Sequence, residues 1–134
     1  MRPMTRQRKK TRQVRAGTLA IGGGAPVSIQ TMATIPIERT DEAIAQVRGL
    51  AEAGAELVRV ALRSAEAAEH LRKLIPAVGV PVCADIHFDH RIALAAIRAG
   101  VHKVRINPGN IGDPSGVREV VAAARDRGVP IRIG

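Results

Sequence analysis

The sequence predicts an α/β fold: a partial TIM (β/α)8 barrel with about five parallel strands and four helices, preceded by a small N-terminal hairpin. Two observations predict it. Short β-branched segments alternate strictly with longer segments of helical periodicity, which is typical of a parallel sheet with right-handed crossovers. In addition, Gly54, Gly79, Gly100 and Gly128 each end a helical segment, as left-handed C-caps do, and their spacings of 25, 21 and 28 residues fit one strand, one loop and one helix.

The first elements follow from local turn and cap signals. Residues 14–24 are predicted to form the hairpin, with Gly17 in its turn, and residues 26–32 are predicted to form the first barrel strand. The helix that follows is expected to use Thr40 as its N-cap, because a hydroxyl there can accept a bond from a free backbone N–H.

The three later helices carry their own start signals. Ser64 and Asp89 are the predicted N-caps of the second and third helices, and Pro114 stands at the start of the fourth. An open doubly wound sheet would usually have a glycine-rich phosphate turn after its first strand. The segment here is T-M-A-T-I-P-I-E-R-T instead, so the barrel is favoured over the open sheet.

Positive charge is concentrated at the N-terminus. The net charge is +9, but residues 1–15 hold seven basic and no acidic residues, and the remaining 119 hold 14 basic and 12 acidic residues. We therefore predict a basic, partly disordered leader over residues 1–13 and the N-terminal half of a TIM-barrel domain over residues 14–134. A basic arm can bind nucleic acid, but this one has no interleaved aromatic residues, so no nucleic-acid partner is expected.

Apolar segments and cysteine usage limit the cellular setting. No run approaches 18 consecutive apolar residues, and the leader has no apolar core of a secretory signal, so neither membrane binding nor secretion is expected. Cys83 is the only cysteine, which excludes an internal disulfide and a cysteine-based metal site within this chain. These features predict a reduced, cytoplasmic protein.

Ionisable side chains recur on one face of four predicted strands. Strand residues alternate between the two faces of a sheet, so each strand keeps one apolar face for the helices. In a barrel the other face points inward, and functional groups lie where the strands end. From the second strand to the fifth, that face carries Arg59, then Asp85 and His87, then Lys103, Arg105 and Asn107, and finally Arg132.

This set is positive overall and favours an anionic ligand. Arginine binds two phosphate oxygens at once through its planar guanidinium group, so the pattern predicts a phosphate or diphosphate site. A structural ion-pair network, such as Asp85 with an arginine, is the alternative.

Asp85 and His87 share a face and could hold a proton, a substrate hydroxyl or a metal, although two ligands do not make a metal site. Cys83 lies deeper and is more typical of a core residue than of a nucleophile.

Three motifs carry a family resemblance: I-G-G-G-A-P-V-S-I-Q at 21–30, A-D-I-H-F-D at 84–89 and R-I-N-P-G-N-I-G at 105–112. From residue 9 to residue 134 the sequence resembles the N-terminal barrel of the 4-hydroxy-3-methylbut-2-enyl diphosphate synthase family, also called IspG or GcpE, of isoprenoid biosynthesis. The last two motifs, in this order and at this spacing, are highly specific for that family.

The resemblance implies an oxidoreductase that reductively opens 2-C-methyl-D-erythritol 2,4-cyclodiphosphate and eliminates water. It implies a [4Fe–4S] cluster held by cysteines and a glutamate of a C-terminal domain, flavodoxin or ferredoxin as the reductant, and a homodimer. Carried onto this sequence, it implies that Asp85 and His87 are catalytic. It also implies that substrate is bound by Arg59, Arg105, Asn107 and Arg132.

The sequence departs from the family pattern in three respects. It ends after the fifth predicted strand, its Cys83 matches no cluster ligand, and the segment after its first strand lacks the Thr/Asn/Asp-rich loop of the family. We therefore expect a fragment without the iron–sulfur domain, which binds no cluster and does not turn over substrate alone. Two other interpretations stay open: another phosphate-binding barrel such as a pterin-type synthase, and a non-catalytic basic module that binds nucleic acid through residues 1–15.

Overall fold

The computed structural model describes residues 7–134, and residues 1–6 of the predicted leader lie outside that range. Residues 7–13 are exposed and have no regular secondary structure. The regular elements that follow are, in chain order, β1 (Val14–Ala16), β2 (Leu19–Ile21), β3 (Gln30–Met32), α1 (Thr40–Glu52), β4 (Leu57–Leu62), α2 (Ala68–Val78), β5 (Val82–Ile86), α3 (His90–Arg98), β6 (Lys103–Ile106), α4 (Pro114–Arg127) and β7 (Ile131–Ile133).

Strands β3 to β7 form one parallel sheet whose spatial order is the order of the chain. A helix connects each of these strands to the next, and every strand pairs with the next one along the sequence. Five parallel strands and four helices after an antiparallel β1–β2 hairpin confirm the predicted partial α/β barrel. Among residues 7–134, no helix combines the length and the hydropathy needed to cross a bilayer.

The main core lies between the sheet and the helices. Every second residue of the central strands is buried there, including Val58, Val82 and Val104, each fully inaccessible to solvent. Leu71 and Leu74 of α2 are buried against them. Because alternate strand residues on this face supply the core, the residues between them, on the opposite face, can be polar.

The hairpin covers the inner face at the amino ends of the strands. Ala16 is buried against Leu57 and Cys83, the inward residues at the starts of β4 and β5. Gly17 adopts a φ of +59° in the hairpin turn, and a side chain there would meet the ring of His102 at 2.8 Å. The hairpin therefore closes the end of the barrel opposite the strand carboxyl ends.

One predicted helix cap and one predicted helix start are confirmed, and the predicted cap of α1 is wrong. Asp89 accepts a hydrogen bond from the backbone N–H of Arg91 at the start of α3, and α4 begins at Pro114. Thr40 is not an N-cap, because it already lies within α1 and its hydroxyl is used elsewhere. That hydroxyl lies 3.0 Å from the carbonyl oxygen of Ile37 and 2.7 Å from Nδ1 of His70, so it ties the preceding loop to α2.

Two other element boundaries differ from the predicted ones. Ser64 accepts from the N–H of Ala67, but it caps a turn that precedes α2. The predicted strand over residues 26–32 pairs only from Gln30 onward. Val27 is 81% exposed, and no neighbouring strand reaches it, because β4 begins opposite Gln30.

A matched pair of helical glycines tests the packing of α3 against α4. A Cβ at Gly116 would lie 2.7 Å from Cγ of His90, whereas a Cβ at Gly49 in α1 would meet nothing within 4 Å. Gly49→Ala should raise the free energy of unfolding by about 1 kcal/mol through helix propensity. Gly116→Ala should lower it by about 1–3 kcal/mol because the ring must move. Urea denaturation measures both, and stabilisation by Gly116→Ala would show that the two helices are not in close contact.

His102 should make stability sensitive to acid. Its Nδ1 accepts from the N–H of Val82 at 3.0 Å, which requires a neutral ring, and burial lowers the pKa of His102 below its ordinary value of 6.5. The unfolded chain therefore binds more protons than the native one as the pH falls through 6.5 towards the lowered pKa, so stability is lost over that range. His102→Gln, measured by urea denaturation between pH 7.5 and 5.5, should remove part of this slope. An identical slope in the variant would show that His102 titrates normally.

Candidate functional site

The inner face of the sheet carries two adjacent rows of side chains set by the strand register. Parallel pairing aligns residues of β4, β5, β6 and β7 at the same height, so inward residues stand side by side. The row nearer the carboxyl ends contains Ala61, Asp85, Arg105 and Arg132. The row beneath it contains Met32, Arg59, Cys83 and Lys103.

Asp85 is the centre of this face. It is 2% exposed, and its two carboxylate oxygens have different partners. Arg59, from the lower row of the neighbouring strand, donates from Nη2 to Oδ2 at 2.5 Å, and Arg105 donates from Nη1 to Oδ1 at 3.4 Å. A buried carboxylate needs such partners because an isolated buried charge is prohibitively unfavourable. The pairing also fixes the two guanidinium groups on the inner face.

His87 and Asn107 stand above this cluster, just past the ends of β5 and β6. Nε2 of His87 lies 3.8 Å from Oδ1 of Asp85, which is beyond hydrogen-bond length, and the ring is partly exposed. Oδ1 of Asn107 accepts from the backbone N–H of Gly109 at 2.9 Å and so closes the turn after β6. Its amino group is the part of the side chain that can donate to a ligand.

Two titratable groups of the lower row are removed from solvent, Lys103 in part and Cys83 completely. Burial lowers the pKa of Lys103, and the nearby positive charges of Arg132 and Arg59 lower it further, against an opposing effect of Cys83. Burial raises the pKa of the Cys83 thiol to about 11, although the cations around it pull the pKa down. Cys83 is therefore a protonated core thiol at neutral pH and is unsuited to nucleophilic attack.

The structure brings all six predicted site residues to the carboxyl end of the inner face, with different degrees of contact. Arg59 and Arg105 both contact Asp85, and His87 lies close to Asp85. Arg132 is exposed at the edge strand and pairs in register with Arg105. With Lys103, the inner face has four cationic side chains and one carboxylate.

Two residues near the site were missed by the sequence analysis. Arg63 follows β4 and, with Ala61 and the loop after β3, lines a cleft of about 320 Å³. Its position continues the alternation of Arg59 and Ala61, which is the signal that could have found it. Phe88, beside His87, has a positive φ of 65°, and no sequence pattern marks that conformation for a phenylalanine.

The donor set does not fit a metal cluster. Within residues 7–134 there is no group of three or more His, Cys, Asp or Glu side chains placed to hold a metal ion. A [4Fe–4S] cluster is held chiefly by thiolates, and Cys83 is a single, buried, protonated thiol.

Replacement of Asp85 tests the cluster as a structural unit. Asp85→Asn should lower the free energy of unfolding by about 1–3 kcal/mol, because the partly buried Arg59 and Arg105 lose their counter-charge. Asp41→Asn is the matched control: it breaks an exposed ion pair with Lys73 and should lower the free energy of unfolding by less than about 1 kcal/mol. Equal urea midpoints for wild type and Asp85→Asn would contradict the proposed dependence of these arginines on the carboxylate.

Comparison with known proteins gives one consistent relationship in sequence. The chain is 50% identical over 128 residues to a 4-hydroxy-3-methylbut-2-en-1-yl diphosphate synthase (flavodoxin) of Symbiobacterium thermophilum, which covers 96% of this chain and 35% of that protein. It is 51% identical to the protein of the same name from Acinetobacter baylyi, over 96% of this chain and 34% of that protein. The chain thus spans about a third of the length of these curated relatives.

Solved structures resemble the chain in fold. Dihydropteroate synthase from Yersinia pestis superposes with a TM-score of 0.64 at 18% identity, over 89% of this chain and 44% of that one. The carboxyl transferase domain of Rhizobium etli pyruvate carboxylase gives 0.55 at 22% identity, over 76% of this chain and 21% of that one. In sequence, the family model of the GcpE TIM-barrel domain matches residues 11–134. That match covers nearly the whole chain, which therefore belongs to the GcpE TIM-barrel domain family.

Proposed function

We propose that this chain supplies the substrate-binding half barrel of a 4-hydroxy-3-methylbut-2-enyl diphosphate synthase, which reductively opens 2-C-methyl-D-erythritol 2,4-cyclodiphosphate with loss of water. The observation that carries the proposal is the buried Asp85 carboxylate, which holds Arg59 and Arg105 on a face with excess positive charge. The names of the relatives at about 50% identity support the identity of the reaction.

The diphosphate is bound by the arginines and by Asn107. Arg105 and Arg132 stand side by side in adjacent strands, so their guanidinium groups can bind oxygens of one phosphate each or share a bridging oxygen. The amino group of Asn107 donates to a phosphate or hydroxyl oxygen at the mouth. Arg59 contributes mainly charge, because its Nη2 is already bonded to Asp85.

Asp85 and His87 act on protons. Loss of water from the substrate requires a proton on the leaving oxygen, and His87 is partly exposed at the strand ends where that oxygen would be held. The Asp85 carboxylate lies 3.8 Å from Nε2 of His87 and holds the neighbouring Arg59 and Arg105. His87 is thus the proposed general acid, and Asp85 is the proposed second catalytic residue, whose carboxylate holds the arginines beside it.

The iron–sulfur cluster of the family would be held by residues outside these 134, because the donor set described here does not fit it. We propose that electrons arrive from flavodoxin, which the names of the relatives include, with ferredoxin as the other candidate. We also propose that the working form is a homodimer and that it operates in the cytoplasm. The likeness to dihydropteroate synthase is one of fold at 18% identity and does not favour pterin chemistry.

Removal of Arg105 tests the diphosphate site. In the protein encoded by the complete reading frame, Arg105→Ala should weaken binding of inorganic diphosphate and of the cyclic diphosphate by about 2–5 kcal/mol, the loss expected on removing one partner of a partly buried charged contact. Isothermal titration calorimetry measures both affinities.

Arg125→Ala provides the control for net charge. Arg125 lies on α4, where its side chain is 77% exposed, so its removal subtracts the same unit of charge from a surface remote from the inner face. Affinity should then be unchanged within about twofold at physiological ionic strength, because exposed charges farther away than a Debye length are screened. An equal loss in both variants would indicate that only long-range charge attracts the ligand, and no loss in Arg105→Ala would remove Arg105 from the site.

A further inference from the structure

The loop between β5 and α3 is a strained turn centred on Phe88. The backbone N–H of Asp89 donates to the carbonyl of His87 at 2.8 Å, and Phe88 between them has a φ of +65°. A bond across two residues with a positive φ at the centre is a γ-turn of the rare, strained kind. Among the residues described, Phe88 is the one non-glycine with a positive φ.

The turn does not need a phenylalanine for its geometry. Glycine adopts a positive φ without steric penalty, and asparagine tolerates it better than a bulky residue does. The phenylalanine is also not used in the core, because 74% of it is exposed to solvent. Its retention at an unfavourable φ therefore has no explanation in the folding of these residues, and such strain is typical of ligand-binding positions.

The position of the ring suggests what it contacts. Its centroid lies 6.0 Å from that of the His87 ring, at an angle of 42°. His87 in turn lies next to Asp85, so Phe88 extends the site outward from the arginine cluster to its mouth. The Asp89 carboxylate anchors the far side of the turn by accepting from the backbone and side chain of Arg91. The sequence has no Tyr or Trp and no second Phe, so Phe88 is its only apolar aromatic side chain.

We propose that Phe88 is a substrate-contact residue that covers the hydrocarbon part of an organic diphosphate, while the arginines hold its phosphates. The inference rests on the proposed function and adds a specificity element to the same site. The charged inner face alone would bind any diphosphate. The ring at the mouth selects a ligand that carries a carbon skeleton, because burying apolar surface against it is favourable.

The test compares two ligands across variants of the protein encoded by the complete reading frame. Phe88→Gly removes both the ring and the strain, and Phe88→Leu keeps an apolar side chain. Val27→Gly is the control, since Val27 is an exposed apolar residue outside regular structure at the opposite end of the sheet. Calorimetry gives the affinities for inorganic diphosphate and for the cyclic diphosphate, and thermal melting gives Tm.

Phe88→Gly should melt at the same temperature or higher and bind inorganic diphosphate as wild type does. It should bind the cyclic diphosphate about tenfold more weakly, the loss expected when part of an aromatic side chain no longer covers apolar surface. Phe88→Leu should lose less than Phe88→Gly, and Val27→Gly should bind both ligands like wild type.

The outcomes separate this inference from the proposed function. If wild type binds neither ligand, the proposed function and the role of Phe88 are both overturned. Suppose that wild type binds both ligands and that Phe88→Gly lowers the two affinities equally. The residue then acts only through the backbone position of His87, and the contact with the carbon skeleton is refuted. Unchanged affinity of Phe88→Gly for the cyclic diphosphate also refutes it, while the proposed function stands.

Discussion

A carboxylate with 2% of its surface exposed, as in Asp85, is stable in a folded protein only when its charge is neutralised in place. Here the neutralising groups come from the strands on either side, Arg59 on β4 and Arg105 on β6. The carboxylate therefore links three neighbouring strands through their side chains as well as through the backbone ladder. It also restricts the rotamers of two long, flexible side chains, so their guanidinium groups stay on the inner face.

The parallel sheet explains why these charges are gathered together. Its helices cover one face, so most of the apolar strand residues pack there, and the polar residues are left with the opposite face. Sequential strand order then puts neighbouring segments of sequence into neighbouring rows. At one end the hairpin covers the inner face with Ala16, Leu19 and Ile21. A ligand can therefore approach from the carboxyl ends, where His87, Asn107 and Phe88 are found.

Much of the fold was predictable because it depends on periodicity. The alternation of apolar and polar residues correctly assigned Arg59, Asp85 and Arg105 to one face, and the spacing of glycines located the helix ends. Details that depend on contacts between residues distant in sequence were not predictable. The Thr40 hydroxyl joins a loop and His70 instead of capping α1. The predicted first strand is short because its partner strand begins only opposite Gln30.

The same distinction holds for the site. Which residues share a face is a property of each strand, but which of them touch depends on the register and on side-chain reach. Arg59 is in the row below Asp85 and still bonds to it, because its long side chain extends along the strand direction. The γ-turn at Phe88 could not be anticipated, since residue preferences assign that conformation to glycine or asparagine.

The charge balance of the inner face links ligand binding to stability. One carboxylate offsets four cationic side chains, and burial, together with the neighbouring Arg132 and Arg59, lowers the pKa of Lys103. A bound diphosphate would supply the missing negative charge and would bind the folded chain but not the unfolded one, so it would stabilise the fold by mass action. Under the proposed function, the excess positive charge is an unfavourable feature of the free protein that would become favourable on binding. A structural ion-pair network accounts for Arg59 and Arg105, but Lys103 and Arg132 have no carboxylate partner among the described residues.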